Sequence, residues 1–180
     1  MRPDSLLFDC DQSVHALLTT EPIIASVLEL FGESVLDKSG QIDRSQLREK
    51  VFQHLSLRRA LEELLHPEVR RLCREAQLQA QQDPRLTVFV ADVPLFFENQ
   101  FPLMHDYALT VATTRNTQMA RLLRRSPQVG HSAAEKIIDA QLPISKKIAA
   151  TDIVIWNGGS PASMKRQLNL FLQWIDLPSK

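Results

Sequence analysis

Leu86–Glu98, LTVFVADVPLFFE, is a near-continuous apolar run that empties into Asp92, followed by Pro94 and a second acid, Glu98. An apolar run of this kind reads as a strand covered on both faces of a parallel sheet rather than a half-exposed one. In such sheets ligands lie beyond the carboxyl ends of the strands. Asp92 then stands at the functional edge, where a carboxylate can hold Mg²⁺ through water or orient a substrate hydroxyl. Taken alone, the segment equally supports a plainer reading, in which Asp92 starts a turn and Pro94 stops the strand.

Working outward, three more short strands are expected at Leu6–Asp9, Tyr107–Ala112 and Ile153–Trp156, with helical patterns between them. Helices are predicted over Ser13–Leu18 and over Pro22–Phe31, the latter opened by Pro22 and closed by Gly32. After a Ser39–Gly40 turn, Asp43 caps a helix over Arg44–Gln53. A helix over Leu57–Leu65 is followed by one that Pro67 starts and that runs to about Gln82. Gln118–Arg125 and Ala133–Gln141 flank a break at Pro127–Gly130, and the last helix runs from Pro161 to Trp174. Strands separated by helices imply an α/β domain with a parallel sheet. The stretch between Asp11 and Arg85 is too long for a simple crossover and reads as a helical lobe inserted between two strands.

The chain has 180 residues, 44% apolar and 23% charged, which suits one soluble globular domain with a lobe. Its 21 basic and 21 acidic residues cancel, so no bulk attraction to nucleic acid or membrane is expected. Cys10 and Cys73 show neither a disulfide framework nor zinc spacing, and a reduced, cytoplasmic setting follows. No run approaches the roughly 18 apolar residues of a membrane helix, and MRPDSLLFDCD lacks a signal-peptide core.

VADVPLFFE (90–98), HPEVR (66–70) and AQLPISKK (140–147) resemble the DVPLLFE, HPxxR and QLPxxxK patterns of the dephospho-coenzyme A kinase family. In the same order, LFDCDQSVHALL resembles that family's IDAD segment with its trailing Arg or His, here His15. LFGESVLDKSGQIDRSQLREKVF is similar to its FG…DG.(L/I)DR..L...VF stretch at Phe31, Gly32, Gly40, Asp43, Arg44, Leu47 and Phe52. NTQMARLLRR matches QLxRLxxR at Gln118, Arg121 and Arg125, and IVIWNGGS resembles VIDNDGS at Asn157, Gly158 and Ser160. Seven motifs in one order span essentially the whole chain.

The resemblance implies ATP- and Mg²⁺-dependent phosphoryl transfer to the ribose 3′-hydroxyl of dephospho-coenzyme A, giving coenzyme A. It also implies a P-loop kinase-like core, three layers αβα around a parallel sheet. A helical substrate lobe over about 13–83 and a lid over about 115–147 complete a single domain of residues 1–180. Dephospho-coenzyme A and ATP are then the small-molecule partners, with no nucleic acid and no membrane, and no metal ligands are assigned. Oligomeric state cannot be read from the sequence.

Asp11 matches the second Asp of IDAD, the family's catalytic base, although an Asp here also suits a helix cap. Asp9 supports the strand end, and Cys10 stands where the family usually has Ala. Asp92 belongs to the Mg²⁺ or acceptor environment. Pro94, Leu95 and Phe97 wall a surface for the adenine or pantetheine part, and Phe96 reads as core. His66 and Arg70 share a helix face. Arg70 either grips a substrate phosphate or pairs with Glu62 or Glu63. Arg121 and Arg125 lie one turn apart and deliver cations to the transferring phosphoryl group. Gln141 and Lys147 at the end of the lid, and Asn157 and Gly158 after the last strand, are expected at the nucleotide. Two departures stand out: Ile137 replaces an Arg the family often has four residues before Gln141, and WNGG replaces DNDG.

The family begins with a strand, a glycine-rich phosphate loop and a helix before the IDAD segment, whereas Met1 stands almost inside that segment. The only glycines are Gly32, Gly40, Gly130, Gly158 and Gly159, and no G-x-x-x-x-G-K-[ST] occurs. That motif cradles phosphates on backbone N–H groups and neutralises them with Lys. The 180 residues are therefore expected to lack the central first strand and to be nearly inactive alone, from a start set too late or a truncated gene. The gap would leave the strands at 86–91 and 107–112 with unpaired edges unless these close on each other. A non-catalytic relative that binds coenzyme A precursors or a partner protein, and another kinase of the same fold class, are the rival readings.

Overall fold

The computed structural model describes residues 3–99 and 101–176. Ser5–Asp9 (β1) and Val88–Asp92 (β2) pair in parallel, in a register that sets Leu7 beside Val90 and Asp9 beside Asp92. Leu109–Ala112 (β3) and Ile153–Trp156 (β4) form a second parallel pair. The single four-stranded sheet expected from sequence is thus two two-stranded pairs, and the ladder does not pass from β2 to β3 among the described residues. Expected full cover of the strands also fails locally: Leu7 and Val90 are 42% and 45% exposed, and Val111 56%.

The chain divides into two compact units. One comprises Met1–Phe96 with Phe101–Leu103, the other Phe97–Gln100 with Met104–Lys180. The first joins β1 and β2 to Cys10–Leu17 (α1), Glu21–Phe31 (α2), Arg44–Gln53 (α3) and Leu55–Gln82 (α4). Its core is aliphatic, with Val27 and Val35 fully buried and Ile23, Ile24, Phe31, Leu47, Leu65 and Val69 nearly so. Gly32 ends α2 at φ 72°, a left-handed conformation that glycine adopts without strain. Asp43 caps α3 by accepting the Ser45 and Gln46 N–H groups.

Helix boundaries differ from expectation in several places. Pro67 does not start a helix; it lies inside one continuous 28-residue α4. Proline removes one backbone donor, and buried Leu65, Val69, Cys73 and Ala80 anchor the helix on either side of it. α1 begins at Cys10 rather than Ser13, because the strand's last residue, Asp9, is itself the cap.

The second unit sets β3 and β4 among Arg115–Arg125 (α5), His131–Asp139 (α6), Ile144–Ala149 (α7) and Pro161–Ile175 (α8). The six-residue α7 was not expected from sequence. Thr114 and Ser160 cap α5 and α8 through their side chains. The Gln167 amide of α8 accepts the Trp156 N–H and donates to the Trp156 carbonyl, both at 2.9 Å. It thereby occupies the margin of β4 as a neighbouring strand would. Tyr107 packs edge-on against Trp174, with ring centroids 4.8 Å apart. No single helix among the described residues is long and apolar enough to cross a membrane.

Candidate active site

Three carboxylates gather at the carboxyl ends of β1 and β2. Asp9 and Asp92 close the two strands side by side, and Asp11 follows in the first turn of α1. Asp9 Oδ1 accepts the Gln12 N–H at 2.9 Å. The cap is Asp9, leaving the Asp11 carboxylate exposed at a helix N-terminus that favours negative charge. Crowding by surrounding protein, then the Asp9 and Asp11 charges, push the Asp92 carboxyl above its usual range. Burial first, then Cys73 and the three carboxylates, push the Cys10 thiol up to about 12, so it is an inert packing group. No group of three or more His, Cys, Asp or Glu side chains among the described residues is placed to hold a metal ion by itself.

Elsewhere in this unit, Pro94 is exposed and Leu95 half-buried in the turn after β2, while Val93 packs on the core. His66 and Arg70 sit half-buried on α4, one turn apart. Glu62, one acid considered for Arg70, binds Arg58 Nε at 2.9 Å.

In the second unit, Arg121 and Arg125 are exposed on α5. Arg121 and Arg124 line an open groove of about 510 Å³ with Asn116, Thr117 and Ala120. Arg115 Nη1, at the start of α5, donates to Asp139 Oδ1 of α6 at 2.6 Å and ties these two helices together. Gln141 is exposed, its N–H held by the Ile138 carbonyl. Asn157 N–H donates to the Ala112 carbonyl at 2.7 Å, extending the β3–β4 ladder. At Gly158 a Cβ would lie 2.7 Å from Trp156 Nε1, so the position requires glycine unless the indole moves.

Lys147, expected at the nucleotide, is paired with Glu98. Its ammonium lies 2.7 Å from Glu98 Oε1, with both side chains largely buried at 13% and 17% exposure. The same oxygen accepts the Leu142 N–H at 2.9 Å, so Glu98 fastens both ends of the segment between Gln141 and Lys147. Phe97 precedes it in the same unit, half-buried. Burial acts to raise the Glu98 pKa, but the Lys147 ammonium and the Leu142 N–H outweigh it and hold the carboxyl below its ordinary 4.5. Glu98 therefore stabilises the fold above pH 4.5, and that stability is lost as pH falls through the depressed folded value. Lys147→Met is expected to destabilise the protein by about 1–3 kcal/mol at neutral pH, because it strands a charged, mostly dry carboxylate. Melting curves should show the deficit shrinking below about pH 4.5.

Sequence reading passed over four residues that the structure brings forward: Glu98, Arg124, and the pair His15 and Arg44. Arg44 Nη2 donates to His15 Nε2 at 2.6 Å across 29 positions. The signal for the pair was present, since both residues belong to quoted motifs, but spacing along the chain does not reveal contacts at such separation.

A family model for dephospho-CoA kinase matches residues 4–162. A dephospho-CoA kinase of Carboxydothermus hydrogenoformans is 31% identical over 180 residues, covering 97% of this chain and 85% of the relative. A Thermus thermophilus crystal structure superposes with a TM-score of 0.73 at 27% identity, over 95% of this chain and 85% of that one. The dephospho-CoA kinase of Campylobacter jejuni shares the fold, with a TM-score of 0.63 at 24% identity over 94% and 84% of the two chains. With the family model spanning residues 4–162 and a relative at 31% identity covered almost throughout, the chain belongs to the dephospho-CoA kinase family.

Proposed function

We propose that this chain serves ATP-dependent phosphorylation of the ribose 3′-hydroxyl of dephospho-coenzyme A, giving coenzyme A and ADP. The gathering of Asp9, Asp11 and Asp92 at the strand ends carries the reading, because this chemistry needs a carboxylate at the acceptor hydroxyl. Asp11, exposed and not engaged as a cap, accepts the hydroxyl proton as the hydroxyl oxygen attacks the terminal phosphorus of ATP and the bond to ADP breaks. Mg²⁺ fits this corner, since it is usually held by one or two carboxylates with the rest from phosphates and water, and a cation would offset the mutual repulsion of Asp9, Asp11 and Asp92 that adds to the burial raising Asp92. When bound it would offset phosphate charge, with Asp9 and Asp92 holding it through water.

The other assigned residues take separate parts. Pro94, Leu95 and Phe97 offer apolar surface to the adenine or pantetheine part, and His66 and Arg70 offer cationic or polar contact to a substrate phosphate. Arg121 and Arg125 supply cations for nucleotide phosphates. Gln141, Asn157 and Gly158 meet the nucleotide, while Lys147 acts by fixing the neighbouring segment through Glu98. The reading implies small-molecule substrates, a cytoplasmic setting, and neither nucleic acid nor membrane as partner.

The rival reading is a chain that binds the acceptor without transferring to it. Incubation with dephospho-coenzyme A and ATP labelled on the terminal phosphate, with the chain also fused behind a strand–phosphate-loop–helix segment, tests both. Label on the 3′-oxygen supports the kinase reading. Acceptor binding without transfer in both forms supports the non-catalytic one, and preference for a different nucleoside overturns both.

A further inference from the structure

Asp11 and His15 stand four residues apart on α1 and therefore share a helix face, about 5–6 Å from each other. Arg44, the first residue of α3, reaches that face to place Nη2 on His15 Nε2 at 2.6 Å. Asp11, His15 and Arg44 thus follow one another along an exposed face of the first unit. The way Arg44 is held is unusual for this protein. Arg58, Arg71, Arg85 and Arg115 are each held by carboxylates, which offset their charge. Arg44 is held by an imidazole that must be uncharged at Nε2 to accept the bond. The guanidinium is therefore oriented while keeping its full charge for a ligand. The nearest carboxylate in sequence, Asp43, is engaged with the Ser45 and Gln46 N–H groups. Arg48, one turn further along α3, adds a second exposed cation on the same face.

We infer that Arg44, oriented by His15, grips the 5′-diphosphate of the acceptor nucleotide while the acceptor's 3′-hydroxyl lies at Asp11. The inference rests on the reading of Asp11 as the base. The two groups to be recognised hang on one ribose a few bonds apart, which suits one helical turn plus an Arg side chain. A guanidinium fork matches phosphate oxygens in pairs, so it fixes orientation as well as supplying affinity. Arg44 is then a substrate-binding residue and His15 a positioning residue.

Calorimetric titration of the 180-residue chain with dephospho-coenzyme A and, separately, with adenosine tests this. Arg44→Ala should weaken dephospho-coenzyme A binding roughly 10–100-fold, the scale of a lost charged hydrogen bond, and leave adenosine binding unchanged. Arg44→Lys should fall between, having charge without the fork. His15→Ala should show part of the loss, and His15→Gln, whose amide oxygen can replace Nε2 as acceptor, should restore most of it. Melting temperatures should stay near wild type, since both side chains are exposed. Wild-type affinity for dephospho-coenzyme A in Arg44→Ala, or equal losses for both ligands, would overturn the contact. Absence of any effect of His15→Ala would overturn its positioning role. Failure of dephospho-coenzyme A to bind the wild-type chain overturns the inference. Failure of the Asp11 reading shows separately, as an unchanged kcat in Asp11→Asn of the loop-bearing fusion.

Discussion

The 180-residue chain alone is expected to form coenzyme A at least about 10³-fold more slowly than the same chain fused behind a strand–phosphate-loop–helix segment. Phosphoryl transfer leaves little covalent chemistry to the protein, and its rate comes from positioning and from offsetting developing charge. A phosphate loop contributes several aligned backbone donors and a lysine, and one such donor alone is worth roughly 10²–10³ in rate. None of the five glycines in this sequence belongs to that motif, and the exposed arginines of α5 do not replace a preorganised cradle. The assay is coenzyme A formation under saturating ATP, followed by mass. Equal rates for the two forms would show that the donors come from elsewhere in the chain.

Asp11→Asn in the loop-bearing form should lower kcat by roughly 10²–10⁴-fold, the usual worth of a positioned general base. Both KM values should move little, since the interaction strengthens mainly in the transition state. Melting temperature should also hold, because Asp9, not Asp11, caps α1. Asp92→Asn provides the comparison. Its carboxyl is raised by crowding and by Asp9 and Asp11, so removing the charge relieves repulsion in the folded state. That variant should gain a little stability at neutral pH, and the gain should vanish as pH falls below the ordinary Asp value near 3.9, where the unfolded carboxyl is also protonated. Whichever variant loses kcat with substrate binding retained identifies the base. A loss in Asp92→Asn alone would move the chemistry to β2.

Local signals made much of the first unit legible. Asp43 and Gly32 mark their helix ends through side-chain capping and a left-handed turn, both written in single residues. Ile153–Trp156 is found where its β-branched run stands. Pro67 misled, because a proline at a helix start and one tolerated inside a long helix look alike until the packing of Leu65 and Val69 is known. α1 was placed late because one residue, Asp9, both ends a strand and caps a helix. The carboxylate cluster was legible since strand ends in parallel sheets announce themselves. Glu98 with Lys147 was not: the partners are 49 positions apart, and only the fold brings that acid and that lysine together.

The double hydrogen bond of Gln167 to Trp156 bears on how the protein behaves when crowded. An extended segment of another molecule attaches to a sheet by finding unmet main-chain groups, and at Trp156 those groups are already satisfied by an amide that matches their geometry. Many proteins guard such a margin with charge, whose protection fades as salt rises. A neutral amide held in register by its own helix does not depend on charge, so protection of the Trp156 end of β4 is built into α8 rather than set by the salt of the solvent.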